Sequence, residues 1–215
     1  GAVPARRVML IGLGERSSFA LDHVRRVAAM AARAARKLGV ARYHFAMLGE
    51  GSAEMQARDV SQAMVEGTIL GAYEFVEHKT ALEDRQPALQ ELTLVLAGGD
   101  TAAAQQGAQD GQTIAESVAL VRDLVNQPGN YLTPTLLAEV AQEMASPLGL
   151  QCQVLDEAQM ADLGMGALLG VAQGSEEPAQ FIILEHNGDR TDLDTYVVVG
   201  KGITFDSGGI SIKPS

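Results

Sequence analysis

Residues 196–215 read YVVVGKGITFDSGGISIKPS, an apolar β-branched run followed by a glycine-rich segment. The run from Tyr196 to Gly200 predicts a buried strand of an α/β sheet. Lys201, Asp206 and Lys213 follow it within thirteen positions. Open α/β sheets bind their ligands at loops that leave the carboxyl ends of strands. These three side chains are therefore candidates for a functional site.

The sequence upstream of this stretch alternates between strand-like and helix-like patterns, which is typical of an α/β fold. A stripe of alanines and other apolar residues predicts a long first helix that ends at Gly39 and packs closely on a neighbour. The predicted strands are 7–14, 40–48, 75–76 and 91–97, and the predicted helices are 21–38 and 52–72. We assign residues 1–100 to a small N-terminal α/β domain, which we expect to lack its first strands.

Residues 101–126 contain no proline and predict a long connecting helix, and a turn follows at Pro128-Gly129. A second α/β pattern occupies residues 127–215. Thr133 is the expected N-cap of its first helix, Pro134 takes the first helical position, and Ser146-Pro147 is expected to end that helix. Asp156 and Gln159 have capping-box spacing. Further strands are predicted at 152–155, 181–184 and 196–200.

Composition excludes several classes of protein. A net charge of −11 disfavours a nucleic-acid surface, which requires a basic face. The single cysteine, Cys152, excludes an intramolecular disulfide and a cysteine-based zinc cluster. No apolar run reaches the roughly 18–20 residues of a membrane span. A soluble cytoplasmic protein that does not bind membranes is expected.

The residue types around Lys201 favour a metal site over a phosphate loop. Asp206 is a hard oxygen ligand for a divalent cation, whereas Lys201 can bind a metal only as the neutral amine. A charged Lys213 could instead polarise a carbonyl and stabilise an oxyanion. A nucleotide-binding domain is poorly supported, because Gly12-x-Gly14 lacks the third glycine of the dinucleotide fingerprint. The residues alone leave a second interpretation open, in which both lysines are solvated and Asp206 caps a turn.

Three stretches together resemble the leucine aminopeptidase family, the two-metal cytosolic aminopeptidases. The segment VVVGKGITFDSGGISIKPS at 197–215 is similar to the signature of that family over nearly its whole length. The segment NQPGNYLTP at 126–134 resembles the start of its catalytic domain, and GMGALLGVAQGS at 164–175 resembles the glycine-rich segment that follows. RVMLIGLG at 7–14 resembles its N-terminal α/β domain less specifically.

The resemblance implies a metal-dependent aminopeptidase that releases N-terminal residues of the leucine type from peptides. It implies two divalent ions (manganese or zinc, or else magnesium), a homohexamer, and a hydroxide activated by both metals as the nucleophile. Lys201 and Asp206 would be metal ligands, with Asp206 bridging both ions. Lys213 would be the catalytic lysine that holds the scissile carbonyl. Residues 127–215 would be the N-terminal part of the catalytic metallopeptidase domain.

The family pattern continues with further carboxylate ligands and an arginine that have no counterpart in these 215 residues. We therefore expect the chain to be a truncated part of a larger aminopeptidase and to be inactive by itself. The alternative is a catalytically incomplete fragment that acts only as an oligomerisation or regulatory module. Neither the identity of the metals nor the preferred substrate side chain follows from the sequence.

Overall fold

The computed structural model describes residues 4–48, 55–80, 87–206 and 211–213. The chain divides into two compact units, Gly1–Asn126 and Gln127–Ser215. Each unit combines helices with a small sheet, which confirms the predicted α/β class. The domain ranges assigned from the sequence stay a prediction. Within the described residues, no helix has the length and apolar character needed to cross a membrane.

The first unit is built from three helices and a two-stranded parallel sheet. A 3₁₀ turn precedes the first helix, and the strands pair in the register Arg42↔Glu91 to Ala46↔Val95. Gly39 follows the first helix with φ +68°, which a glycine adopts without strain. The elements are the 3₁₀ turn Arg16–Ser18, α1 Leu21–Lys37, β1 Arg42–Ala46, α2 Ala57–Ala72, β2 Glu91–Val95 and α3 Thr101–Asn126.

Small residues bring α1 and α2 into backbone contact, as the alanine stripe predicts. A Cβ on Gly71 would lie 2.5 Å from the Cα of Ala29, and one on Gly67 would overlap the carbonyl oxygen of Arg25. Val24, Ala28 and other apolar side chains fill the space between the helices and the sheet. This core consists of Val24, Ala28, Met47, Val60, Ala63, Met64 and Ala104.

The third helix, α3, packs on α2 in the same way. A Cβ on Gly107 would overlap the carbonyl oxygen of Arg58 and the hydroxyl of Ser61, and one on Gly111 would lie 2.6 Å from the Gln62 carbonyl oxygen. Four small side chains at three- and four-residue steps form the buried face of α3: Ala104, Gly107, Gly111 and Ala115. The sequence singles out α3 as a connector, and in the structure it is part of the first unit.

One buried carboxylate ties α1 to α2. Glu66 is almost fully buried, and it accepts hydrogen bonds from Arg25 Nε at 2.5 Å and from Gln62 Nε2 at 2.7 Å. A buried ionised group is stable only when it is paired and hydrogen-bonded, and Glu66 meets both conditions. The helix packing of the first unit therefore depends on a specific polar contact as well as on close backbone approach.

Two further carboxylates accept hydrogen bonds from arginines of the first unit. Arg58 donates two hydrogen bonds to Asp110, from Nε at 3.0 Å and from Nη2 at 2.7 Å, and these lower the pKa of Asp110. Arg36 donates to Glu74 and likewise lowers the pKa of that carboxyl. Both carboxylates are more acidic in the folded chain than in a free peptide, so both contacts are sensitive to acid.

The second unit contains three helices and a two-stranded antiparallel sheet. The Thr133 hydroxyl accepts from Leu136 N, and Pro134 is the first helical residue, so the predicted cap is confirmed. The capping box of Asp156 and Gln159 is also confirmed, with both reciprocal hydrogen bonds present. The elements are α4 Pro134–Leu148, β3 Gln151–Leu155, α5 Glu157–Asp162, α6 Gly166–Ala172 and β4 Phe181–Glu185.

Four local predictions are wrong in the described structure. Residues 7–14, 75–76 and 196–200 are not strands. The side chains of 196–199 are more than three quarters exposed, because no described strand pairs with the segment to cover it. Pro147 lies inside α4 near its end, and Gly149, in the left-handed conformation, ends the helix instead. A proline in the last turn is tolerated where the helix is about to terminate.

Candidate active site

The three predicted site residues come together on one carboxylate oxygen. Lys213 Nζ donates to Asp206 Oδ2 at 2.9 Å, and Lys201 Nζ lies 3.4 Å from the same oxygen. The described residues between Gly200 and Asp206 belong to no helix or strand, so a loop carries Lys201 and Asp206. Ser207, Gly208, Gly209 and Ile210, which complete the predicted segment, lie outside the described residues, as do Pro214 and Ser215.

Solvent reaches all three side chains. The exposed fractions are 69% for Lys201, 61% for Lys213 and 40% for Asp206. Ion pairs at such exposure contribute about 0–1 kcal/mol to stability. The lysines are thus solvated, as the second interpretation of the sequence expects, and they also converge on Asp206, as the first interpretation, a metal site, requires. Because the contacts add so little stability, fold stability alone does not account for a carboxylate held between two cations.

The distance between the Lys201 and Asp206 side chains is suitable for two ligands of one metal ion. Ligand atoms about 2.1 Å from a tetrahedral ion lie about 3.4 Å apart, and Lys201 Nζ and Asp206 Oδ2 are separated by 3.4 Å. A neutral amine and a carboxylate suit zinc, manganese or magnesium. Two ligands fill only part of a coordination shell. Among the described residues, no group of three or more His, Cys, Asp or Glu side chains could hold a metal.

The loop that carries Lys201 and Asp206 lies against the turn before α4. A Cβ on Gly129 would lie 3.2 Å from Phe205 Cβ and 3.3 Å from Phe205 Cδ2. The loop also touches α4, since a Cβ on Gly202 would lie 3.8 Å from Leu137 Cδ2. Sequence reasoning treats Gly129 only as a turn former and does not single out Phe205. The only available signal is that both residues lie inside stretches that share one family resemblance.

Hydrogen bonds shape this turn and the start of α4. The Pro128 carbonyl accepts from Tyr131 N at 2.8 Å and from Leu132 N at 2.9 Å. The carbonyl of Thr133 accepts from Leu137 N at 3.0 Å, in addition to the hydroxyl cap on the same residue. The backbone on which the loop rests is therefore fixed by contacts within its own segment.

Two descriptions of known protein domains match this chain, one in each unit for most of its length. The description "Cytosol aminopeptidase family, catalytic domain" matches residues 119–215, and "Cytosol aminopeptidase family, N-terminal domain" matches residues 1–81. The two matches come from one family and together include most of the chain. The chain belongs to the cytosol aminopeptidase family. All three candidate residues of this family member lie within the catalytic-domain match.

Relatives and solved structures agree with this assignment. The relative from Roseiflexus castenholzii, named "Probable cytosol aminopeptidase", is 45% identical to the whole chain, which covers 44% of that relative. A relative of the same name from Alkaliphilus metalliredigens is 42% identical, again over the whole chain and 43% of the relative. The chain thus spans less than half the length of these curated relatives.

Among solved structures, the bottromycin maturation enzyme BotP in complex with Mn is 30% identical with a TM-score of 0.69, over 81% of this chain and 35% of BotP. A mutant of tomato leucine aminopeptidase is 30% identical with a TM-score of 0.68, over 75% of this chain and 32% of that protein. These similarities confirm the recognition of the family from the sequence.

Proposed function

We propose that the protein is a metal-dependent aminopeptidase that releases N-terminal amino acids, of the leucine type, from peptides. The observation that carries the proposal is the convergence of Lys201 and Lys213 on Asp206 Oδ2, at 3.4 Å and 2.9 Å, inside the segment matched to the family's catalytic domain. The proposal extends to two divalent ions, a homohexamer and a cytoplasmic location. The names of the relatives support the location, and the manganese complex of BotP supports a divalent ion. The number of ions and the homohexamer rest on the family resemblance alone.

The two lysines take opposite roles in this proposal. Lys201 binds a divalent ion as the neutral amine, together with the carboxylate of Asp206. When bound, divalent ions supply Lewis acidity and a coordinated water of lowered pKa.

Lys213 keeps its proton and acts on the substrate. Its ammonium group donates hydrogen bonds to the carbonyl oxygen of the scissile peptide and stabilises the negative charge that develops there. The side chain of Lys213 is 61% exposed, so a peptide carbonyl can reach it. In the absence of substrate, Asp206 Oδ2 holds the ammonium at 2.9 Å.

The test is leucyl-amide hydrolysis and metal titration with the longest form of the protein that its gene encodes. Lys213→Ala should lower kcat by about 10²–10³-fold, the usual loss on removal of one oxyanion donor, while divalent ions still bind. Lys79→Ala is the matched control, because Lys79 is an exposed lysine that pairs with Glu74 in the first unit. An unchanged kcat in Lys213→Ala would remove this residue from the mechanism.

Calorimetric titration with Mn²⁺ or Zn²⁺ separates this function from the alternative of a non-catalytic oligomerisation or regulatory module. An aminopeptidase should bind two ions tightly, and Lys201→Ala should weaken at least one of them. A protein that binds no divalent ion and hydrolyses no leucyl amide would contradict the proposed function and favour the module.

A further inference from the structure

The stretch 126–134 resembles a family segment, yet none of its residues has a role in the proposed chemistry. In the structure, its turn lies directly under the loop that carries the predicted metal ligands. Phe205 packs on Gly129, and Gly202 lies near the side chain of Leu137. Gly202 and Phe205 are the first and last residues between Lys201 and Asp206.

We propose that Gly129 and Phe205 are positioning residues. The turn at Gly129, called the seat below, supports Phe205 and thereby sets the separation of the Lys201 and Asp206 side chains. The inference rests on the proposed metal-dependent function of that pair. Phe205 directly precedes Asp206, so any displacement of the Phe205 backbone moves the carboxylate. Gly202 directly follows Lys201 and lies near Leu137 Cδ2 at the other end of this segment.

The seat requires glycine at position 129 because of space, not because of backbone conformation. Gly129 does not have a left-handed φ, so an L-residue is not strained there. A side chain would instead meet Phe205 Cβ at 3.2 Å and the Thr204 carbonyl at 3.5 Å. The contact with Thr204 is an ordinary van der Waals distance, whereas the contact with Phe205 Cβ is tight, and Cβ cannot rotate away because it is attached directly to the backbone. A branched residue at 129 therefore requires the loop to move by a few tenths of an ångström or more.

Gly174 provides a matched control. It lies in the same unit, its φ is also outside the left-handed region, and a Cβ added to it meets nothing within 4 Å. Gly129→Val and Gly174→Val thus make the same chemical change, with and without a neighbour. Calorimetry with Mn²⁺ should show about 10–100-fold weaker binding in Gly129→Val, as for other residues that orient metal ligands, and no change in Gly174→Val.

A rescue variant distinguishes positioning from a general loss of structure. Gly129→Ala adds one methyl group against Phe205, and Phe205→Ala removes the ring that makes the 3.3 Å contact through Cδ2 but keeps Cβ. The double variant should regain part of the Mn²⁺ affinity that Gly129→Ala loses, whereas the losses from unrelated effects would add. Mn²⁺ affinity in Gly129→Val equal to that of the unsubstituted protein, or losses that add in the double variant, would overturn the inference.

A cysteine pair tests the seat without any metal. Disulfides form at Cβ separations of about 3.5–4.5 Å, and the Gly129 and Phe205 positions are 3.2 Å apart by this measure, so a bridge requires a shift of only a few tenths of an ångström. Gly129→Cys with Phe205→Cys should oxidise to a bridge that peptide mapping locates, whereas Gly174→Cys with Phe205→Cys should not. Absence of the first bridge would refute the seat. If the bridge forms but the unsubstituted protein binds no metal, the proposed function fails and the seat stands.

Discussion

Gly107 in α3 is the position where one added methyl group tests the packing of the first unit most directly. Alanine is favoured over glycine in a helix by about 1 kcal/mol, so Gly107→Ala would stabilise an isolated helix. In the folded chain, however, the methyl group would overlap the Arg58 carbonyl oxygen and lie 2.7 Å from the Arg58 carbonyl carbon. Because these are backbone atoms of α2, the two helices must separate.

The magnitude follows from three contributions. Overpacking a close helix contact costs about 1–3 kcal/mol. Ser61 is fully buried and donates to the same Arg58 carbonyl at 2.9 Å, and disturbing that hydrogen bond adds about 1 kcal/mol. Subtracting the gain in helix propensity leaves a net destabilisation of roughly 1–3 kcal/mol for Gly107→Ala.

Urea unfolding followed by circular dichroism measures this change. Gly170→Ala in α6 is the control, because a Cβ on Gly170 meets nothing within 4 Å, and it should stabilise by up to about 1 kcal/mol. The two substitutions are therefore expected to change the free energy of unfolding in opposite directions. A Gly107→Ala protein as stable as the unsubstituted one, beside a Gly170→Ala protein that behaves as expected, would refute the close packing of α2 and α3.

Two further predictions concern charged groups of the first unit. Glu66→Ala should destabilise the chain by about 2–4 kcal/mol, since it leaves Arg25 and Gln62 without their shared acceptor; a loss below about 0.5 kcal/mol in urea unfolding would contradict this. Hydrogen bonds from Arg58 lower the pKa of Asp110 from its ordinary value of 3.8. The ionised carboxylate therefore stabilises the folded chain at pH values above the pKa of Asp110 in the unfolded chain. This stabilisation is lost as the pH falls through the pKa of Asp110 in the folded chain. The free energy of unfolding of Asp110→Asn should therefore fall less between neutral pH and about pH 3 than that of the unsubstituted chain. If the free energy of unfolding depends on pH in the same way in both proteins, the Arg58–Asp110 ion pair does not contribute as predicted.

Local chemistry explains the elements that the sequence predicted well. The cap at Thr133 and the capping box at Asp156 depend on residues within three positions of each other, so their patterns are visible without the fold. The range of α3, Thr101–Asn126, agrees with the helix predicted from the absence of proline. The family resemblance likewise rests on contiguous stretches and needed no structure.

Strands were predicted less well than helix caps, because a strand forms only where a neighbouring strand pairs with it. Tyr196 to Val199 have strong β-propensity, yet the described chain pairs no strand with them. A strand is stable only when its backbone groups bond to a neighbour, and a single segment carries no information about that neighbour. The same argument applies to the apolar run at 7–14, which the sequence also assigned to a sheet.

By itself, the sequence determined the α/β class, the helix caps at Thr133 and Asp156, the family, and the identity of Lys201, Asp206 and Lys213 as candidates. All of these depend on residue type and on short spacing along the chain. Only the tertiary structure decided that both ammonium groups meet at one oxygen of Asp206, and that Phe205 rests on Gly129. Residues 129 and 205 are far apart in sequence, and contacts over such separations depend on how the intervening α4, β3, α5, α6 and β4 pack, which no local pattern encodes.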